Sequence, residues 1–324
     1  MSDLHQLSLL NSKKYIYISN YDPTEKELYQ LESSCVFNQQ GADKLLFSTI
    51  KLAPSSSAFI KKRLEILSFS EDYPTLIDLI KKEKIAIEGF KVEYVILDGD
   101  TTNYADRLGK LKDIGYNIEG YPNYYKPSTT YAICCYKGVW YFGVLTKNNF
   151  AWHQHRQKPY AYSNSISVYI AKALVNIAAK GNKEKRLLDA CCGVGTILLE
   201  ACFAGYNIEG CDINKKLCKD AQANLAHFNY NAQVHCSDVK EISKRYDAAI
   251  IDLPYNLLSS VTEKDIAHII ESTAAITDRM VIVSTSDITG LLHNTGFTLS
   301  DYCSVRKRGK TSFARRIWVC EKDG

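Results

Sequence analysis

From Arg186 onward the sequence alternates short apolar runs with longer mixed stretches, and this alternation limits the possible folds more than any other feature of the chain. Arg186–Cys191, Asn207–Asp212, Ala232–Cys236, Ala248–Asp252 and Met280–Ser284 read as strands. Thr196–Ala204, Lys215–Phe228, Lys264–Ile276 and the short Ile288–Asn294 read as helices. Strands separated by helices pair in parallel, with the helices packed on both faces. Thr298–Ser304 and Phe313–Cys320 have only a basic turn between them, so they add a final antiparallel hairpin. The expected class is α/β, a doubly wound Rossmann-like sheet with an antiparallel last strand.

Before this region the pattern is shorter and mixed. Tyr15–Ser19 and Phe90–Leu97 read as strands. Thr24–Cys35, Ala58–Leu67, Thr75–Lys84 and Tyr104–Ile114 read as helices. Thr129–Tyr136 and Val139–Leu145, split by Lys137-Gly138, read as a hairpin. Ser165–Ala179 has helical periodicity, with Ile166, Ile170, Leu174 and Ile177 on one face. The chain therefore divides into an α+β domain over residues 1–155 and an α/β domain over 156–324.

Composition narrows the setting. Apolar residues make up 46% and charged residues 23%, ordinary values for a globular protein. No apolar run approaches the roughly 20 residues of a membrane span, and the N-terminal segment has no secretory pattern. Eleven cysteines, with no CxxC pair, read as reduced, mostly buried thiols of a cytoplasmic protein. No metal site is expected; His153 and His155 read as solvated linker residues. The 22 tyrosines read mostly as packing residues, with Tyr121–Tyr125 as a place where unpaired RNA bases could stack. Net charge is only +4, but Arg306-Lys307-Arg308, Lys310 and Arg315-Arg316 cluster near the C-terminus, as phosphate contacts would.

Four stretches suggest chemistry. In Asp189-Ala-Cys191-Cys-Gly193-Val-Gly195-Thr196 a strand meets a glycine turn and then a helix, which lets the backbone approach a ligand. Asp212 ends the next strand, where a carboxylate commonly accepts ribose hydroxyls. These two features alone leave NAD and S-adenosylmethionine open. Leu198, where a third glycine would stand, leans against NAD, and Asp189 suits an amino acid's ammonium group. Asp238, after the third strand, could accept an adenine amino group. The fourth stretch, Asp252-Leu253-Pro254-Tyr255, decides the class. The Asp252 side chain and the main-chain carbonyl beside Pro254 offer two acceptors for an exocyclic NH2. Tyr255 could stack on the base. Held in this way, a nitrogen lone pair faces a methyl donor that is already activated.

These motifs, in this order, resemble those of amino-methylating enzymes with a [DN]-x-P-[YF] signature, and more narrowly the THUMP-associated tRNA guanine-N2 methyltransferases. His155-Arg156-Gln-Lys158-Pro159-Tyr160 resembles the entry to their catalytic domain. Ile114–Gly120, Lys126-Pro127 and the hairpin after them resemble the later part of a THUMP domain. Arg308–Phe313 resembles the basic turn before their last strand. The resemblance spans roughly residues 110–320. It departs at Leu253, where the family usually has a first proline, and near Ile166-Ser167, where a proline is often found. It implies that Asp189, Gly193, Gly195, Asp212 and Asp238 bind S-adenosylmethionine, with Cys191, Thr196, Ile213 and Val239 beside them. It implies that Asp252, Pro254 and Tyr255 hold the target base, and that Arg156, Lys158, Arg306, Arg308 and Lys310 contact RNA. Some related enzymes use a small activating subunit; a partner of that kind or a homodimer stays open. The rival readings are a DNA adenine-N6 or cytosine-N4 methyltransferase and a non-catalytic RNA-binding subunit.

Overall fold

The computed structural model describes residues 14–39, 44–162, 165–254, 262–293, 295–306 and 314–323. From the N-terminal side the elements are β1 (Tyr15–Ser19), α1 (Lys26–Phe37), β2 (Leu45–Ser48), β3 (Ile60–Ser70) and α2 (Tyr73–Glu83). Then come β4 (Phe90–Tyr94), α3 (Tyr104–Gly115), β5 (Thr129–Tyr136) and β6 (Val139–Lys147). The second half holds α4 (Val168–Ala179), β7 (Arg186–Asp189), α5 (Thr196–Ala204), β8 (Asn207–Cys211), α6 (Lys215–His227) and β9 (Val234–His235). It continues with β10 (Ala248–Asp252), α7 (Glu263–Ile276), β11 (Arg279–Ser284), α8 (Thr289–Leu292), β12 (Phe297–Arg306) and β13 (Ala314–Lys322).

The chain forms two compact units. The first comprises Met1–Ser19, Ala42–Pro54 and Ile60–Asn148. Its six strands run in the order β2-β1-β3-β6-β5-β4, antiparallel except for β4 against β5. Asp72 caps α2 by accepting the Thr75 N–H, and Leu76 and Ile80 on that helix are buried. The expected helix over Ala58–Leu67 is replaced by β3. Ile60, Leu64 and Leu67 stand at helical spacing, but β1 and β6 pair with both edges of this segment, and sheet pairing overrides the local pattern. The register shifts between Ile66 and Ser68, and Leu67 is left half-exposed at that bulge. Tyr116, Tyr121, Tyr124 and Tyr125 also lie exposed, so packing does not explain them.

The second unit comprises Asn20–Gly41, Ser55–Phe59 and Asn149–Gly324. Its seven strands run β12-β13-β11-β10-β7-β8-β9. The strands from β9 through β11 are parallel. β13 lies antiparallel between β11 and β12, so the last strand is antiparallel and the final hairpin forms one edge of the sheet. Residues alternate between two cores. Leu187, Ile250, Val281 and Val283 face the cluster built by α4 and α5. Leu188, Ala249, Ile251, Met280 and Ile282 face the cluster that holds Ile270 of α7. This is the period-two pattern of a sheet covered on both faces.

A single break near residue 155 was expected, and the division differs from it. Leu28, Tyr29 and Leu31 of α1, with Ala58 and Phe59, belong to the core of the second unit. Glu32 of α1 is buried there, accepting hydrogen bonds from Ser57 Oγ and Asn176 Nδ2 at 2.7 Å each. Burial raises its carboxyl to about 7. The apolar spacing of α1 marks a helix but does not say which core it joins.

Candidate active site

β7 has β8 on one side and β10 on the other, so the order in which the chain adds its parallel strands reverses at β7. Ligands of open α/β sheets sit at the carboxyl ends of the strands beside such a switch. Asp189, Asp212 and Asp252 all lie at those ends.

The loop after β7 is shaped by its glycines. Gly193 and Gly195 have φ of +53° and +80°, values that side chains disfavour. A Cβ on Gly195 would also lie 3.2 Å from Cβ of Ala221 on α6. The Asp212 carboxylate accepts the Gly193 N–H at 2.9 Å and the Asn214 N–H at 2.8 Å. Leu198, in place of a third glycine, instead fills the space over Gly210, where a Cβ would come within 2.7 Å of its Cδ1.

Asp189 is fully buried. Neither carboxylate oxygen makes a well-formed hydrogen bond among the described residues. Burial, then the charges of Asp252 and Asp212, push its carboxyl well above the ordinary range; the nearby Cys191 N–H gives only partial relief. Burial and the same three carboxylates also push the Cys191 thiol well up, so it stays a neutral SH.

A cavity of about 620 Å³ opens beside this loop. Cys191, Gly193, Thr196, Asp212, Ile213, Asp238, Val239, Asp252 and Pro254 line it, so nine of the motif residues come together. Asp189 and Gly195 do not reach its surface. Tyr255, Arg308, Lys310 and the turn from Lys307 to Phe313 lie outside the described residues. Leu253, the departure from the usual motif, is buried in the core cluster with Ile251 and Ile270. Its N–H continues the sheet by donating to Val283 C=O at 3.0 Å. Asp252 and Pro254 on either side remain partly exposed at the cavity.

Asp238 caps the turn at Val239–Glu241 and accepts the Lys240 N–H. His268 of α7 reaches both of its oxygens, at 3.2 and 3.1 Å. Partial burial raises the Asp238 carboxyl, but the Lys240 N–H and His268 outweigh it and hold the group below its ordinary value. His268 and Asp265 also line the cavity, as do Tyr162, Ser165 and Ile166 from the segment before α4. No local motif marks these five; the fold brings them in from distant stretches.

Of the basic residues expected to meet RNA, the described ones, Arg156, Lys158 and Arg306, do not line the cavity. Arg156 is exposed, its guanidinium 4.9 Å from the Tyr169 ring centroid. Burial lowers the Lys158 amine, opposed by the charge of Glu200. Arg306 is exposed at the end of β12.

His155 corrects the reading of a solvated linker. It is fully buried, with Nδ1 2.7 Å from Glu200 Oε1 and Nε2 3.0 Å from the Tyr230 hydroxyl. Glu200 in turn pairs with the buried Lys172 at 3.0 Å. Phe203 and Phe228 cover the His155 imidazole edge-on.

Residues 155–271 match the family model described as an RMKL-like methyltransferase domain. This chain contains a methyltransferase domain. Among curated proteins, it is 30% identical over 120 residues to a tRNA (guanine(10)-N2)-dimethyltransferase of Methanothermobacter thermautotrophicus. That match covers 36% of this chain and 35% of the relative. It is 23% identical over 222 residues to the enzyme of the same name from Methanocaldococcus jannaschii, covering 62% of this chain and 60% of the relative. The chain thus spans about a third to three fifths of the curated relatives it matches. A solved structure of TrmN from Thermus thermophilus aligns over 95% of this chain and 99% of its own, at 15% identity and a TM-score of 0.47. The Methanothermobacter and Methanocaldococcus relatives are tRNA guanine-N2 dimethyltransferases, in line with the resemblance of the motifs. The matched domain begins at His155, whereas the core around it also requires α1 and Ala58-Phe59.

Proposed function

We propose that the chain is an S-adenosylmethionine-dependent RNA methyltransferase whose target is the exocyclic N2 of a tRNA guanine. The observation that supports this best is the Asp252-Leu253-Pro254 strand end, set at the cavity beside the buried carboxylate of Asp189.

The residues present fit the cofactor. A buried carboxylate without a strong partner, ringed by two further carboxylates, suits a ligand that carries an ammonium and a sulfonium. Asp189, which lies behind the cavity wall, would favour the ammonium group through its charge, and Asp212 would accept the ribose hydroxyls. Asp238 would take the adenine amino group, with Ile213 and Val239 against the ring faces. Bound there, S-adenosylmethionine supplies an electrophilic methyl group.

The protein's part in the reaction is positioning. The target base, turned out of its stack, would place its amino group between the Asp252 carboxylate and the Leu253 carbonyl. Two accepted hydrogen bonds fix the nitrogen and aim its lone pair into the cavity. Asp252 can then take the proton that the nitrogen sheds. The first unit, as a THUMP-like domain, would hold folded RNA by shape and backbone charge, joined by Arg156, Lys158, Arg306, Arg308 and Lys310. The reaction would take place in the cytoplasm, in keeping with eleven free thiols.

The deciding experiment incubates the protein with bulk RNA and labelled cofactor and identifies the modified nucleoside by mass spectrometry. N2-methylguanosine is expected. N6-methyladenosine, or label in duplex DNA alone, would overturn the base assignment.

A further inference from the structure

Asn224 lies on α6, fully buried, outside every motif and outside the cavity wall. Its side chain makes three hydrogen bonds. Nδ2 donates to the Val194 carbonyl and to the Tyr160 carbonyl, each at 2.9 Å. Oδ1 accepts the Tyr160 N–H at 2.9 Å. Both donated hydrogens are used, and the amide cannot be reversed without facing its oxygen toward two carbonyls.

The partners give this arrangement its meaning. Val194 is the residue between the two glycines of the loop. Tyr160 is two residues from Tyr162, which lines the cavity with Ser165 and Ile166. The same helix meets the loop one turn earlier, where Ala221 crowds Gly195. His155 anchors the start of the segment through Glu200 of α5.

We propose that Asn224 is a positioning residue of the cofactor site, clasping the Tyr160–Tyr162 segment to the glycine loop. The clasp rests on the reading that this cavity takes S-adenosylmethionine. Both ends of it are backbone groups, so it fixes the path of the chain whatever side chain stands at 160. A wall ordered before the ligand arrives spares binding the cost of ordering it.

Calorimetric titration of the full chain with S-adenosylhomocysteine tests this. Asn224→Asp keeps the shape but replaces two donors with acceptors facing two carbonyls. It should weaken binding by about tenfold or more while the unliganded protein still unfolds cooperatively. Tyr162→Ala, at a side chain that is 49% exposed, should weaken binding without touching the core. In that background Asn224→Asp should add clearly less than it does alone, because both act through one wall. Should Asn224→Asp fail to fold, Asn224→Ser takes its place with the same expectation. Unchanged affinity in a folded Asn224 variant, or full additivity with Tyr162→Ala, overturns the clasp. A wild-type protein that does not bind S-adenosylhomocysteine would instead overturn the reading of the cavity itself.

Discussion

The backbone N–H of Gly193 donates to the carboxylate of Asp212 across 2.9 Å, which ties the loop after one strand to the tip of the next. The bond holds Gly193 in its left-handed conformation and presets the carboxylate's direction. Asp212→Ala should therefore remove a ligand contact and loosen the loop together. Affinity for S-adenosylhomocysteine should fall by about a hundredfold, reading the loss of two hydrogen bonds to a charged group. Titration calorimetry checks this, and a loss of twofold or less would count against the role of Asp212.

Asp189 should show a conflict between stability and binding. Its carboxyl sits well above the ordinary range, so the native state favours the protonated form. A raised native value means that its contribution to stability is present at low pH and is lost as pH rises through the native value. Asp189→Asn removes that loss. The melting temperature of the unliganded variant should exceed that of wild type at pH 8 more than at pH 5, while affinity for S-adenosylmethionine falls. Thermal scans at the two pH values, paired with titrations, measure both effects.

Asp252 stands at the cavity and is coupled electrostatically to Asp189. Asp252→Ala should abolish methyl transfer to RNA while S-adenosylmethionine still binds in part. Filter capture of labelled RNA measures the first effect and calorimetry the second. Undiminished turnover would remove Asp252 from the mechanism.

His155→Ala leaves Glu200 buried with one fewer partner beside Lys172. Leaving a buried group short of one hydrogen bond costs about 1–3 kcal/mol. Urea unfolding should move to lower denaturant by a corresponding amount. His155→Gln, which keeps one donor, should recover part of the loss. A variant as stable as wild type would mean that the network contributes little.

The most legible parts of the sequence were those where local chemistry and fold coincide. Thr196–Ala204 and Ala248–Asp252 form over the residues that their patterns mark, and nine of the motif residues meet at one cavity. What stayed hidden depends on distant partners. Ile60–Ser70 becomes a strand because two other strands claim its edges. His155 is buried because Glu200, Tyr230 and two phenylalanines converge on it. Asn224, Tyr162 and His268 have no motif of their own, and their neighbours come from other elements. Composition alone does not tell an exposed tyrosine such as Tyr125 from a packed one such as Tyr29.

Helix α1 has one more consequence. A fragment cut where the family match begins, at His155, would lack Leu28, Tyr29, Leu31 and Phe59 of its core, and Asn176 would lose the carboxylate of Glu32. The methyltransferase half is therefore not a portable cassette. Gene fusion or truncation at that junction would transfer the motifs without the packing that supports them.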